Sequence, residues 1–167
     1  SMTKPITSVA VMILIEECRL RLSDPVSRFF PEFADVQVYV AGDAPPFQTR
    51  SPDREITIRD LMTHTSGLAY GIGDEHPVEQ AMADTVFAAV AADRSLPLRE
   101  IVRLIAELPL VHQPGSAWRY SIGIDVLGAV IEEVTQVSLQ QFLAERIFQP
   151  LGMTDTFFTV PVDKRSR

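Results

Sequence analysis

The stretch that most limits how this chain can fold is Met2 to Glu17, where Ile6, Val9, Ala10, Ile13 and Leu14 recur at intervals of three and four. That spacing is the period of an α-helix with one strongly apolar face, which predicts a helix buried at the centre of the domain. Pro5 falls in its first turn, where a missing N–H is tolerated. Such a face needs other elements packed round it, and 167 residues are enough for one domain with a sizeable core. The run is not a membrane span, because Glu16-Glu17 interrupts it before the roughly 18 apolar residues that a span requires.

The rest of the chain also reads as mostly helical. Cys18 stands where a helix-ending glycine is expected. Ser23-Asp24-Pro25 reads as an N-cap with proline in the first turn of a helix over Val26 to Phe30, stopped by Pro31. Val36 to Val40 alternates as a short strand and Glu55 to Ile58 is its candidate partner in a small hairpin, with Gly42, Asp43, Pro45 and Pro46 in the loop between. A short helix through Thr63 ends at Ser66-Gly67, and Tyr70, Gly71, Gly73 and Pro77 mark a loop. Further helices are expected over Met82 to Ala92, from Pro97 to Leu108, from Gly123 to Val134 and from Ser138 to Phe148, with a turn at His112 to Ser116. No large sheet can be built from what is left.

Composition removes several function classes. A net charge of −7 and a pI near 4.9 argue against nucleic acid or an anionic membrane as partner, since phosphate binding needs a basic face. Apolar residues at 46% with a mean hydropathy of +0.11 describe a globular chain, neither disordered nor membrane-spanning. The single cysteine excludes an internal disulfide framework. His64, His76 and His112 are far apart and have no histidine or cysteine at ligand spacing, so no metal site is expected. Without a phosphate-binding glycine loop no organic cofactor is implied either, and oligomeric state is not legible.

The chemistry-bearing residues are few. If Ser1 opens the first helix, Lys4 lies one turn on along the same face, a hydroxyl beside an amine able to take its proton. The helix N-terminus would favour an oxyanion there. The same four residues also fit a leftover serine ahead of an initiator methionine. A third reading makes the α-amine of Ser1 the base, as in N-terminal-nucleophile hydrolases, but those build sheets directly after the nucleophile and this chain continues as a helix. His64 suggests a Ser-His pair with Ser1 or Ser66; a histidine at a helix end more often bonds the carbonyls there.

Six separated segments, Ser1 to Pro5, Leu20 to Phe33, Ile56 to Leu68, Gln113-Pro114-Gly115, Trp118 to Gly128 and Ile147 to Thr154, resemble in order and spacing the serine β-lactamase-related hydrolases. The closer likeness is to class C β-lactamases, family VIII carboxylesterases and D-alanyl-D-alanine carboxypeptidases. The resemblance implies that Ser1 and Lys4 are the family's S-x-x-K pair and that Tyr120-Ser121-Ile122 is its tyrosine motif. It further implies that Ser1 attacks an acyl carbonyl while Lys4 and Tyr120 move its proton, either one being the base, and that water resolves the acyl-enzyme.

Two departures qualify the expectation. Class C β-lactamases place asparagine where Ile122 stands, and an isoleucine neither donates nor accepts, so an apolar acyl pocket and an ester substrate are favoured over a β-lactam. Ile122 and Trp118 are the candidate substrate contacts. The family's third motif, a Lys-Thr-Gly or Trp-x-Gly strand that supplies an oxyanion-hole amide, has no counterpart here. The expected molecule is therefore a single partial domain over residues 1–167: the helical region of the β-lactamase/transpeptidase-like α+β fold, cut at both ends and lacking most of its antiparallel sheet. Its expected ligand is a small-molecule acyl substrate. A non-catalytic penicillin-binding-like domain, or an inactive fragment, is the alternative.

Overall fold

A computed structural model describes residues 1–72 and 76–166; of the loop expected around Tyr70 to Pro77, Gly73 lies outside the described residues. Helix α1 spans Thr3–Glu16 and buries Thr7, Ala10, Val11 and Leu14. This stripe is rotated from the predicted one: Ala10 and Leu14 face inward as expected, Ile6 and Ile13 are only partly covered, and Val9 is half-exposed. Thr7 joins the buried face because its Oγ1 donates to the Thr3 carbonyl one turn back (3.1 Å), which satisfies the hydroxyl without water.

Beyond α1, Cys18 takes the left-handed conformation (φ 57°); its N–H donates to the Ile15 carbonyl (3.0 Å) and the N–H of Arg19 to that of Leu14 (2.9 Å). A side chain in that conformation costs on the order of 1 kcal/mol that glycine does not. Cys18→Gly is accordingly expected to raise the melting temperature by about 2–4 °C. Calorimetry of the two proteins checks this, and a lower melting temperature would contradict it.

The helix expected at Val26 to Phe30 is instead a single 3-10 turn, Val26–Arg28, followed by another at Pro31–Ala34. Asp24 does not cap it: its carboxylate accepts the N–H of Arg21 (2.9 Å) and pairs with Arg28 (2.9 Å). Pro25 is held extended because Val26 N–H donates to the Ile56 carbonyl (2.9 Å) and Ile58 N–H to that of Asp24 (3.1 Å). Those bonds also correct the predicted hairpin. Strand β1, Val38–Ala41, pairs antiparallel with β2, Gln48–Arg50, not with Glu55 to Ile58. The Gly42 to Pro46 loop turns the chain back at once, so the first residues after it fill the edge. Tyr39 and Leu110 then hydrogen-bond along the other side of β1.

Helix α2, Ile58–Met62, opens with a reciprocal capping box between Thr57 and Asp60. It ends at Thr63, as expected, and His64 after it is left-handed (φ 56°). Gly67 is left-handed too (φ 84°) for a different reason: a Cβ there would collide with the carbonyl oxygen of His112. Helix α3, Pro77–Met82, starts ahead of the predicted Met82 and runs through a wide turn, Ala83–Phe87, into α4, Ala88–Ala92. Helices α5, Leu98–Ala106, and α6, Gly123–Thr135, follow. Ser138 caps α7, Leu139–Leu143, which continues as a wide turn over Ala144–Phe148.

The hub is α6 rather than α1. Helices α1, α2, α5 and α7 all pack on it. Its residues Gly123, Ile124 and Val126 to Ile131 are all buried, so it is apolar nearly all round, as a helix surrounded by others must be. The described residues are thus mostly helical with one two-stranded sheet, and no helix among them is long and apolar enough to cross a membrane.

Candidate active site

Two segments far apart in sequence meet at the start of α1. Ser1 lies just ahead of the helix and Lys4 in its first turn, where the N–H of Lys4 donates back to the Ser1 carbonyl (3.3 Å). Tyr120 comes from the loop that enters α6. Its hydroxyl lies 3.0 Å from Ser1 Oγ, within hydrogen-bond distance, and Lys4 Nζ sits over its ring, 4.7 Å from the centroid. The three residues expected to form the catalytic group are therefore adjacent.

Hydrogen bonding with Lys4, then with Ser1, draws the phenol of Tyr120 below its ordinary pKa, against a smaller opposing effect of burial; the charge of Lys4 and a bond with Tyr70 add to the lowering. The same bond with Tyr120 raises Lys4 above its ordinary value, again against partial burial. The pair is polarised in one sense: the ammonium keeps its proton and the phenol is the group made easier to ionise. Asp125 is exposed to solvent and lines a cavity of about 450 Å³ between α1, α6 and α7. Crowding by the surrounding chain raises its carboxyl, while Lys4 pulls the other way.

The remaining expected residues are placed differently. Trp118 is 68% exposed, its ring edge-on to His64 with centroids 6.2 Å apart. Ile122 is 4% exposed and belongs to the hydrophobic core at the start of α6, where its N–H donates to the Ala69 carbonyl (3.2 Å). The side chain that stands in place of the family's asparagine is thus engaged in packing.

Two residues at the site, Tyr70 and Glu79, are not marked for it by the sequence, while His64 is marked only as a partner for Ser1 or Ser66 or for the carbonyls at its helix end. Tyr70 lies edge-on to Tyr120, ring centroids 5.0 Å apart. Glu79, only 3% exposed, accepts the N–H groups of Tyr70 (2.8 Å) and Gly71 and pairs with Arg119 Nε (3.0 Å), tying the two tyrosine-bearing loops together. In sequence it falls between the loop expected to Pro77 and the helix expected from Met82, and carries no signal of that role. His64 does not use its ring on the carbonyls of its own helix: Nδ1 accepts the N–H of Ser121 (3.2 Å). Burial and the charge of Lys4 hold its pKa below the usual histidine range. Among the described residues no group of three or more His, Cys, Asp or Glu could hold a metal ion.

A serine and a lysine one helical turn apart, with a tyrosine delivered to the serine from a facing loop on a helical scaffold, define the serine β-lactamase-related hydrolases. The model of the Beta-lactamase family matches residues 1–167, and the chain belongs to that family. Protein Rv1367c of Mycobacterium tuberculosis is 42% identical over 167 residues, covering all of this chain and 40% of its own length. Esterase EstB of Burkholderia gladioli is 36% identical over 163 residues, covering 95% of this chain and 37% of its own. Among solved structures, "EstCE1, a hydrolase with promiscuous acyltransferase activity" superposes with a TM-score of 0.73 at 35% identity, over 98% of this chain and 40% of that one. The chain therefore spans about 40% of the length of the curated relatives it matches first. Its described residues are the helical region of a β-lactamase/transpeptidase-like fold.

Proposed function

We propose that this chain carries the nucleophile and the base of a serine esterase that works through an acyl-enzyme. The observation that carries the reading is the 3.0 Å approach of Tyr120 Oη to Ser1 Oγ with the Lys4 ammonium over the same phenol. As Ser1 Oγ bonds to the ester carbonyl carbon, its proton passes to the ionised form of Tyr120, which the Lys4 ammonium favours. Collapse of the tetrahedral intermediate breaks the C–O bond to the leaving alcohol, which takes that proton. Water then attacks the acyl-serine with Tyr120 again as base, and Ser1 recovers its proton as the acid leaves. An alcohol in place of water gives acyl transfer by the same steps, in keeping with the similarity to EstCE1, a hydrolase with promiscuous acyltransferase activity.

An ester is preferred to a β-lactam or a D-alanyl peptide because Ile122 offers no amide to an acylamino group. Trp118, exposed beside His64, offers an apolar surface to the acyl chain. The similarity to EstB supports the same preference. The test is a fluorophosphonate on this protein, with the adduct mapped by peptide fragmentation. An adduct on Ser1 is expected, and its loss, together with ester hydrolysis, in Ser1→Ala. An adduct on another serine, or hydrolysis surviving Ser1→Ala, would overturn the reading.

A further inference from the structure

His64 attaches to both sequence neighbours of Tyr120 and to Tyr120 itself. Its carbonyl accepts the N–H of Arg119 (2.8 Å), its Nδ1 accepts the N–H of Ser121 (3.2 Å), and its ring stacks on that of Tyr120, with centroids 4.9 Å apart and planes 29° from parallel. A backbone N–H only donates, so Nδ1 carries no proton and the imidazole is the neutral Nε2–H form. The hydroxyl of Ser121, buried and 3.3 Å from the same nitrogen, fixes the ring further. These contacts come from a residue in the left-handed conformation, which histidine adopts more readily than most side chains other than glycine.

Helix capping does not account for this arrangement. The bond that His64 makes back into α2, from its N–H to the Leu61 carbonyl, is long at 3.5 Å, while its shorter bonds go to the loop of Tyr120. We propose that His64 is a positioning residue for Tyr120: by gripping the backbone on either side of the tyrosine and backing its ring, it sets the phenol at bonding distance from Ser1 and in register with Lys4. The proposal rests on the reading of Ser1 and Tyr120 as nucleophile and base, and adds the residue that holds the base in place.

Two variants test it with little risk of unfolding, since both glycine and asparagine accept the left-handed backbone. His64→Gly removes the ring and the Nδ1 acceptor. His64→Asn puts an amide oxygen near the place of Nδ1 and restores the bond to the Ser121 N–H. In His64→Gly, hydrogen exchange over residues 118–122 is expected to quicken and kcat for a small ester to fall by about 10–100-fold with KM little changed, as for a reacting group displaced by about 1 Å. His64→Asn is expected to recover the protection and most of the kcat. Unchanged exchange in His64→Gly would overturn the proposal, as would unchanged kcat in a protein whose hydrolysis depends on Ser1. Hydrolysis that does not depend on Ser1 would instead overturn the nucleophile assignment, and the exchange measurement would still decide whether His64 holds the loop.

Discussion

Tyr120→Phe is expected to lower kcat for ester hydrolysis by about 10²–10⁴-fold, the range that a positioned general base contributes, with KM and thermal stability nearly unchanged. Only one oxygen is removed, with its bonds to Ser1, Lys4 and Tyr70, and the stacking on His64 and the edge-on ring contact with Tyr70 remain. Lys4→Met should cost a comparable factor for a different reason. The lysine lies over the phenol and its ammonium lowers the phenol's pKa, whereas the hydrogen-bond approach to Ser1 Oγ is made by Tyr120. The double variant should therefore be little worse than either single one, because the two residues act as a unit. The pH profile separates the roles. Because the phenol's pKa is lowered, its base form fills at a lower pH than for a free tyrosine, and kcat/KM should rise toward alkali with a midpoint below about 10. In Lys4→Met that midpoint should move up and the plateau fall less than the value at neutral pH. An activity plot that keeps its rising limb in Tyr120→Phe would show that another group is the base.

How much of this was legible beforehand differs by element. The order of helices and the pairing of the first turn with Tyr120 follow from apolar period and from the resemblance, because both are carried by residue type at fixed spacing. Which stripe of α1 is buried is decided by what packs against it: α6 and α7 cover Ala10 and Leu14 together with Thr7 and leave Val9 half in water. Propensity placed a helix after Pro25, but the backbone bonds from Val26 and Ile58 to a distant segment hold Pro25 extended and leave room for one tight turn. The supports of the site were the least legible part. Glu79 and His64 act on residues forty or more positions away, Arg119 for the first and Arg119 to Ser121 for the second. A local pattern shows only that His64 ends a helix, and places Glu79 ahead of the helix expected from Met82.

Asp60→Asn is expected to lower stability by ~2 kcal/mol near neutral pH, and the loss should disappear in acid. Asp60 is 3% exposed. Burial alone would raise its pKa, but bidentate bonds from Arg54 (2.6 and 2.9 Å) and bonds from the Thr57 hydroxyl and N–H outweigh it and hold the carboxyl at about 2, against an ordinary 3.8. A carboxyl whose folded pKa is depressed adds stability above its unfolded value and loses it as pH falls through the folded one, so the window runs from about pH 4 down to about pH 2. The position matters beyond α2. Thr65 donates its N–H to the backbone carbonyl of Asp60 (2.9 Å) and its hydroxyl to the Asp60 carboxylate (3.2 Å), and its own carbonyl accepts the N–H of Gly115. Gly115 in turn lacks the Cβ that would strike the Arg54 guanidinium. The bend that presents His64 to Tyr120 is thus built on the Arg54–Asp60 pair. Denaturant unfolding of both proteins at pH 7 and pH 2.5 checks the stability claim: a wide gap at pH 7 that mostly closes at pH 2.5 is expected, and an equal gap at both would show that Asp60 acts by shape and not by charge. Ester hydrolysis by Asp60→Asn at pH 7 reads the second step, since a loosened bend should lower kcat in the fraction that remains folded.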